Sequence, residues 1–287
     1  MTAGRHTVDA VRARFFAAYD AVLAQWPVAV EAIDLRSPFG TTRVHRCGPP
    51  DGRPLILLHG GGATSTVWFA NVGELSRTHR VHAVDIIGDA GRSVNDGRPV
   101  GDLAGYLDWL DGLFDGLGLD GAGVCGHSYG GWLALNYALH APRRVHKLAL
   151  LDPTDCFTGL KLSYRLHAVP TFVRPSVDRT RAFIAWETAG APVDPAWLKL
   201  LCLGAELPRT KVVVPRRPAH DRLRASTVPT LLLLAGRSRA HDIRKVSANA
   251  HELMRDLVTA VLPAVSHHMV PTGQPAALNR RLGAFLS

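Results

Sequence analysis

The residues of this chain that could do chemistry begin with a serine at position 128. It stands in the stretch Gly126-His127-Ser128-Tyr129-Gly130, which matches G-x-S-x-G and lies between a strand-like run and a helix-like run. A serine on such a sharp turn has an exposed hydroxyl, and only small residues fit two positions before and after it. The pattern predicts that Ser128 is a nucleophile. The alternative is that it only caps the helix that follows.

A second cluster is the glycine run that follows an apolar strand at 54–59 and reads HGGG from position 59. Glycines allow the backbone to approach a ligand closely, and the N–H groups at a helix start favour a developing negative charge. We therefore expect the backbone N–H groups of Gly61 and Tyr129 to form an oxyanion hole beside Ser128. The alternative for the glycine run is a flexible turn.

Short apolar runs alternate with helical patterns along most of the chain. This predicts an α/β fold with a mostly parallel central sheet flanked by helices on both faces. The expected strands lie at 28–35, 42–47, 54–59, 81–87, 122–125, 145–151, 230–235 and 258–262, and the expected helices at 8–23, 101–117, 130–139 and 275–286. The alternation breaks where prolines separate helical pieces. We interpret 155–218 as an inserted helical cap, and 1–154 with 219–287 as the core.

The composition is that of an ordinary globular protein, since 47% of the 287 residues are hydrophobic and 20% are charged. No apolar run approaches the ~20 residues of a membrane span, and the N-terminus does not resemble a secretory signal. The four cysteines form no CxxC pair, so we expect a cytoplasmic protein without a metal site or cofactor. The net charge of +9 comes from scattered basic residues, which argues against a nucleic-acid partner.

Several segments together resemble the α/β-hydrolase fold superfamily, and in particular its capped bacterial carboxylesterases. They are the HGGG run, VDIIGDAGRS at 84–93 and GHSYGG at 126–131. The resemblance covers nearly the whole chain, including PTLLLLAGRSRAHD at 229–242 and SHHMVPTGQP at 266–275. It implies a triad in which an acid and then a histidine follow the serine in chain order.

The acid of that triad is expected after the strand at 230–235. Asp242 is the carboxylate that the resemblance favours there, although it lies six residues after Gly236 rather than at the commoner spacing of three. Asp152, after the preceding strand, is the alternative acid, and Asp155 is a weaker one. Whichever carboxylate serves, it must bond the far ring nitrogen of the histidine to fix its tautomer.

The histidine of the triad is expected after the last strand, where His267 and His268 stand side by side. The family pattern has a proline three residues after the histidine, and Pro271 fits that spacing for His268. We therefore expect His268 to be the base, with His267 as the alternative. An imidazole can accept the serine proton and return it to the leaving group near neutral pH.

The resemblance implies a serine hydrolase that cleaves a carboxylic ester or thioester through an acyl-enzyme. Aromatic residues are frequent in the expected cap, so we expect a medium-sized apolar acyl group, with Trp68, Trp132 and Trp186 as candidate substrate-binding residues. Residues 153–222 hold eleven Lys and Arg against six Asp and Glu, so an acidic acyl-carrier protein is a candidate partner. The alternatives are acyl transfer or cyclisation, C–C bond hydrolysis, and a non-catalytic binding protein.

Overall fold

One sheet runs through the computed structural model, which describes residues 2–207 and 213–287. Its strands are β1 (Glu31–Ser37), β2 (Gly40–Cys47), β3 (Arg53–Leu58), β4 (His79–Val84), β5 (Ala122–His127), β6 (Val145–Leu151), β7 (Thr230–Ala235) and β8 (Leu257–Leu262). Within the described residues these eight strands are ordered β1-β2-β4-β3-β5-β6-β7-β8. Only the β1–β2 and β2–β4 pairs among them are antiparallel. The expected α/β fold with a mostly parallel sheet is confirmed.

Helices connect most of the strands. They are α1 (Thr2–Leu23), α2 (Val72–Leu75), α3 (Leu103–Gly116), α4 (Tyr129–His140), α5 (Leu162–Val173), α6 (Val177–Glu187), α7 (Pro195–Gly204), α8 (His220–Arg224), α9 (Ile243–Leu253) and α10 (Pro275–Leu286). A 3₁₀ helix covers Ser65–Ala70. The four helices expected outside the cap are present, and α1 begins earlier than its pattern predicts. Among the helices described, none combines the length and the apolar character needed to cross a bilayer.

Strand β3 shows why a central strand of this sheet is apolar on both faces. Leu55, Ile56, Leu57 and Leu58 are all 0% exposed, because helices cover both faces of the sheet. Successive side chains point to opposite faces, and they join two separate apolar clusters accordingly. Each buried side chain of this size contributes about 1.5–3 kcal/mol. The sheet is therefore a rigid support for the residues that follow its strands.

The interval between β6 and β7 contains α5, α6, α7 and α8. The N-terminal helix α1 packs against this segment of helices. Phe15 and Tyr19 of α1 share an apolar cluster with Leu200 and Leu203 of α7. The division into a core and a cap at 155–218 stays a prediction. Residues 208–212 of that expected cap lie outside the described residues.

Candidate active site

Ser128 lies on the tight turn between β5 and α4, in a backbone conformation that L residues rarely adopt. Its φ is 51° and its ψ is −114°, and such a conformation costs about 1–3 kcal/mol unless the surroundings enforce it. The turn is held from several sides. The N–H of Ser128 donates to the carbonyl of Leu151 at 3.0 Å, and its own carbonyl accepts the N–H groups of Trp132 and Thr154 at 3.1 Å. The serine is therefore fixed at the carboxyl end of β5.

The glycines around Ser128 are needed because backbone segments nearly touch there. A Cβ on Gly126 would lie 2.2 Å from the carbonyl oxygen of Gly130. A Cβ on Gly130 would lie 2.4 Å from the carbonyl oxygens of Leu58 and His59. Both distances are well inside van der Waals contact. The requirement for small residues two positions before and after the serine is thus confirmed.

Ser128 is one end of a continuous chain of three side chains. Its Oγ lies 2.8 Å from Nε2 of His267, and Nδ1 of His267 lies 2.7 Å from Oδ2 of Asp152. Because a carboxylate only accepts, Nδ1 donates to Asp152, and the neutral imidazole accepts the serine hydroxyl at Nε2. This is the geometry that a base needs to remove the serine proton.

Burial and hydrogen bonding together set the charges of this chain. Asp152 is 0% exposed and His267 is 2% exposed. Burial alone would raise the pKa of Asp152, but the charges and hydrogen bonds of His241 and His267 outweigh it and hold that pKa well below its usual range. Burial lowers the pKa of His267 below the usual 6.5, although the hydrogen bond to Asp152 opposes this. At neutral pH the acid is therefore ionised and the imidazole is neutral.

Asp152 directly follows β6 and is held by donors from the neighbouring strand and loop. Its carboxylate accepts the N–H of Ala235 at 3.0 Å, the hydroxyl of Ser238 at 2.9 Å and Nε2 of His241 at 2.9 Å. Together with His267 it has four donors, which fix both carboxylate oxygens. The sequence indicated Asp152 only as the alternative acid, and the contribution of His241 is not visible from the sequence pattern.

Asp242 does not reach either histidine of the doublet, so its expected placement is wrong. It is the N-cap of α9, and its Oδ1 accepts the N–H groups of Arg244 at 3.1 Å and Lys245 at 3.3 Å. A carboxylate at a helix start stabilises the helix by accepting hydrogen bonds, because the first N–H groups of a helix have no partner inside it. The preceding residue, His241, points to the interior instead and contacts Asp152.

His268 is not the imidazole beside Ser128, and that expectation is also corrected. Its Nδ1 lies 3.4 Å from Oε2 of Glu187, at the end of α6, and its ring meets Phe183 edge to face. The doublet lies on a tight turn closed by the N–H of Met269 on Ser266, where successive side chains diverge. The proline spacing used for the prediction does not determine which of the two rings faces the serine.

Gly61 and Tyr129 lie next to each other, as an oxyanion hole requires. A Cβ on Gly61 would be 3.6 Å from Cβ of Tyr129, and Tyr129 is the first residue of α4, where an N–H lacks an intrahelical partner. The glycine loop is anchored by Asp89, whose Oδ2 accepts the N–H of Gly62 at 2.9 Å. This anchoring aspartate was not identified as part of the site from the sequence.

A narrow cleft opens at Ser128, but the three tryptophans expected there do not line it. Trp68 and Trp132 are 0% and 1% exposed in the interior, and Trp186 stacks on His167 with 3.9 Å between ring centroids. Large aromatic side chains can serve in packing or in binding, and these three serve in packing. The cleft is lined by Gly60, Gly61, Ala63, Val67, His127, Ser128, Trp197, Leu201 and His268.

Catalysis by a bound metal ion or by a cysteine is less well supported in the described part of the chain. No group of three or more His, Cys, Asp or Glu side chains there is arranged to hold a metal ion. The four cysteines are free and buried, and burial raises the pKa of the Cys125 thiol, next to the turn of Ser128, well above its usual value. A buried thiol of that kind is a poor nucleophile.

Comparison with known proteins agrees with this geometry. The sequence profile described as the Alpha/beta hydrolase family matches residues 55–281. The uncharacterized carboxylesterase nap of Bacillus subtilis is 29% identical over 282 residues, which are 96% of this chain and 92% of nap. Carboxylesterase YbfK of the same organism is 29% identical over 95% of this chain and 93% of its own length. The crystal structure of naproxen esterase from Bacillus subtilis matches with a TM-score of 0.88 at 29% identity, covering 96% of this chain and 97% of that esterase.

Proposed function

Because the chain belongs to the alpha/beta hydrolase family and is a hydrolase, we propose that it cleaves small carboxylic esters with Ser128 as the nucleophile. The observation that carries this proposal is the hydrogen-bonded chain from Ser128 through His267 to Asp152. The carboxylesterase names of its relatives support an ester rather than another acyl compound.

The mechanism follows from the positions of the three side chains. His267 takes the proton of Ser128 at Nε2 as the serine oxygen attacks the ester carbonyl. Asp152 holds the opposite nitrogen and stabilises the imidazolium that forms. His267 then returns the proton to the departing alcohol, which leaves an acyl-enzyme on Ser128. Water, activated by the same imidazole, releases the acid and restores the hydroxyl.

The backbone N–H groups of Gly61 and Tyr129 are the proposed oxyanion donors. They adjoin the serine on the glycine loop and at the start of α4, where the helix dipole also favours negative charge. Donors of this kind stabilise charge that develops only in the transition state, and losing one costs about 10²–10³ in rate. Asp89 supports the loop through Gly62, so it is a positioning residue in this scheme.

The lining of the cleft supports an apolar acyl group. Ala63, Val67, Trp197 and Leu201 form an apolar wall of the cleft that contains Ser128. Such a wall gains free energy from each methylene that it removes from water, about 0.8 kcal/mol. We therefore expect catalytic efficiency to increase with acyl length from acetate to butanoate.

A thioester carried by an acidic protein is the second candidate substrate, and the exposed face of α5 favours it. Four apolar side chains on this helix are 49–71% exposed, namely Leu162, Leu166, Val169 and Val173. Basic residues flank them at positions 161, 165 and 174. Such a face suits an acidic acyl-carrier protein, whose binding should weaken as salt screens the charges. Carrier binding that is independent of salt would exclude this candidate.

The nucleophile is tested by replacing Ser128 with alanine. We expect Ser128→Ala to fold normally and to lower kcat on p-nitrophenyl butanoate by about 10⁴-fold or more, because no oxygen is left to form the acyl-enzyme. It should also lose labelling by a fluorophosphonate probe. Ser163→Ala, at an exposed position of α5, is the matched control and should be labelled like the wild type. Turnover of Ser128→Ala within about tenfold of the wild type would exclude the mechanism.

A further inference from the structure

The loop after β6 supplies a second side chain to the proposed site. Oγ1 of Thr154 lies 3.0 Å from Oγ of Ser128, and no other hydrogen-bond partner of this hydroxyl is found among the described residues. Asp152, two residues earlier, carries the carboxylate that bonds His267. One short segment therefore contacts both the serine and the histidine of the proposed triad.

The backbone around Thr154 holds its side chain in this position. The N–H of Thr154 donates to the carbonyl of Ser128 at 3.1 Å. The preceding Pro153 packs against the start of α4, where a Cβ on Gly131 would lie 2.9 Å from Cβ of the proline. Thr154 is 9% exposed, and it is not among the residues that line the cleft. Its hydroxyl is therefore fixed beside the serine oxygen and apart from the cleft wall.

The direction of the hydrogen bond between Thr154 and Ser128 follows from the tautomer of His267. Nδ1 of His267 donates to the carboxylate of Asp152, which only accepts. Burial lowers the pKa of His267 below its usual value, so at neutral pH the ring is neutral and Nε2 carries no proton. Nε2 therefore accepts the single hydroxyl proton of Ser128 at 2.8 Å. Because that proton is already used, the hydroxyl of Thr154 is the donor to Ser128.

A hydrogen bond to the serine oxygen becomes stronger as that oxygen gains negative charge. In acylation, the proton of Ser128 moves to Nε2 of His267 while the bond between Oγ and the carbonyl carbon forms. In deacylation, water adds to the acyl carbon and gives a proton to His267, the carbon–Oγ bond breaks, and that proton passes to Oγ. Oγ carries partial negative charge in each of these steps, and hydrogen bonds to charged groups are stronger than those to neutral groups. Thr154 keeps its own proton throughout.

We propose that Thr154 is a further catalytic residue, whose hydroxyl donates to Oγ of Ser128 and stabilises the negative charge on that oxygen when it attacks the ester and when it leaves the acyl-enzyme. This inference rests on the proposed ester hydrolysis at Ser128. The role differs from that of the oxyanion donors, which act on the carbonyl oxygen of the substrate. Because the hydroxyl is apart from the cleft wall, it affects the rate and not the choice of acyl group.

The test compares variants that remove the hydroxyl with one that keeps it. Thr154→Val keeps the shape of the side chain without the hydroxyl, Thr154→Ala removes the hydroxyl and leaves space, and Thr154→Ser keeps the hydroxyl. We expect the first two variants to lower kcat/KM on p-nitrophenyl acetate and p-nitrophenyl butanoate by about tenfold alike, as for the difference between a hydrogen bond to a charged oxygen and one to a neutral oxygen. Thr154→Ser should stay within about threefold of the wild type. The rate of labelling by a fluorophosphonate probe should follow the same order, because the same serine oxygen attacks the probe.

Thr180→Val is the matched control, because Thr180 of α6 is 8% exposed and its hydroxyl has no hydrogen-bond partner in the described part of the chain. This variant should leave kcat/KM and the labelling rate unchanged. If Thr154→Ser loses as much activity as Thr154→Ala, the methyl group of the threonine matters rather than its hydroxyl, and the proposal is overturned. Wild-type rates in Thr154→Ala would overturn it as well. If Thr154→Val does not fold, as judged by thermal unfolding, the other two variants at this position decide.

Failure of this inference and failure of the proposed function give different results. If the wild type hydrolyses neither ester, or if Ser128→Ala keeps its turnover, the proposed function fails and this inference fails with it. If turnover requires Ser128 but all Thr154 variants match the wild type, only this inference fails.

Discussion

At the scale of single residues, the carboxylate of Asp152 is central to the proposed mechanism. It accepts hydrogen bonds from two histidines at once, His267 at 2.7 Å and His241 at 2.9 Å. An acceptor with several donors keeps its charge and cannot rotate, so the imidazole of His267 keeps one tautomer. The proposed base, His267, is therefore oriented before any substrate binds.

Replacing this carboxylate with an amide should abolish most of the activity. Asp152→Asn keeps the shape of the side chain, but its amide can donate to Nδ1 of His267 and so favours the tautomer with the proton on Nε2. That tautomer cannot accept the serine proton. We expect kcat on p-nitrophenyl butanoate to fall by about 10⁴-fold, with KM changed much less.

The control is Asp242→Asn, because Asn caps a helix about as well as Asp. We expect this variant to keep kcat within about threefold of the wild type and to unfold at nearly the same temperature. A larger loss of kcat in Asp242→Asn than in Asp152→Asn would mean that the hydrogen bonds described here are not those used in catalysis.

The sequence could not choose between these acids, and the reason is geometric. Asp152 and Asp242 follow neighbouring parallel strands whose carboxyl ends lie at the same edge of the sheet. Either could approach the histidine from there. The choice depends on whether His241 or Asp242 turns inward, a difference of one residue in a loop. The same holds for the doublet, where His267 rather than His268 faces Ser128.

At the scale of elements, the turn between β5 and α4 was predictable because its constraints are local. A sharp turn, a strained serine and small flanking residues all follow from the G-x-S-x-G spacing. The packing of α1 on α7 was not predictable, because it joins segments from opposite parts of the chain. Likewise, Trp68 and Trp132 are of a residue type that often contacts ligands, and only their burial shows that they pack in the interior.

The turn gives a test in which one methyl group should change both stability and activity. Gly130→Ala places a Cβ 2.4 Å from the carbonyl oxygens of Leu58 and His59, so α4 must shift away from β3. We expect the free energy of unfolding to fall by about 2 kcal/mol, as is typical of overpacking. We also expect kcat to fall by about 10²-fold, because Ser128 moves with the helix.

Gly112→Ala is the matched control, since Gly112 lies inside α3 and its Cβ would have no atom within 4 Å. An alanine there should stabilise the protein by about 0.5–1 kcal/mol through helix propensity and leave kcat unchanged. Urea unfolding and p-nitrophenyl ester turnover measure both effects. Equal stability of Gly130→Ala and the wild type would contradict the steric account of the turn.

At the scale of the whole molecule, buried histidines link stability to pH. Seven of the 14 histidines are buried among the described residues. Six of them have hydrogen-bond partners, such as His59 with the N–H of Ile86 and His79 with Thr78. His82 of β4 is different, because neither of its ring nitrogens has a partner in the described part of the chain. Its protonation is therefore opposed by the fold.

His82 should make the protein less stable in mild acid. Burial, with a smaller contribution from Arg46 and Arg80, lowers the pKa of His82 from 6.5 to about 4. As the pH falls below 6.5, the unfolded chain binds the proton first, so the free energy of unfolding falls by about 2 kcal/mol between pH 8 and pH 5 from this group alone.

The test is His82→Leu, which cannot bind that proton. Urea unfolding should show that its free energy of unfolding falls by about 2 kcal/mol less than that of the wild type between pH 8 and pH 5. The other histidines titrate equally in both proteins, and His251→Leu, at an exposed position, should keep the wild-type dependence. Identical losses in His82→Leu and the wild type would mean that His82 is hydrated in the native state.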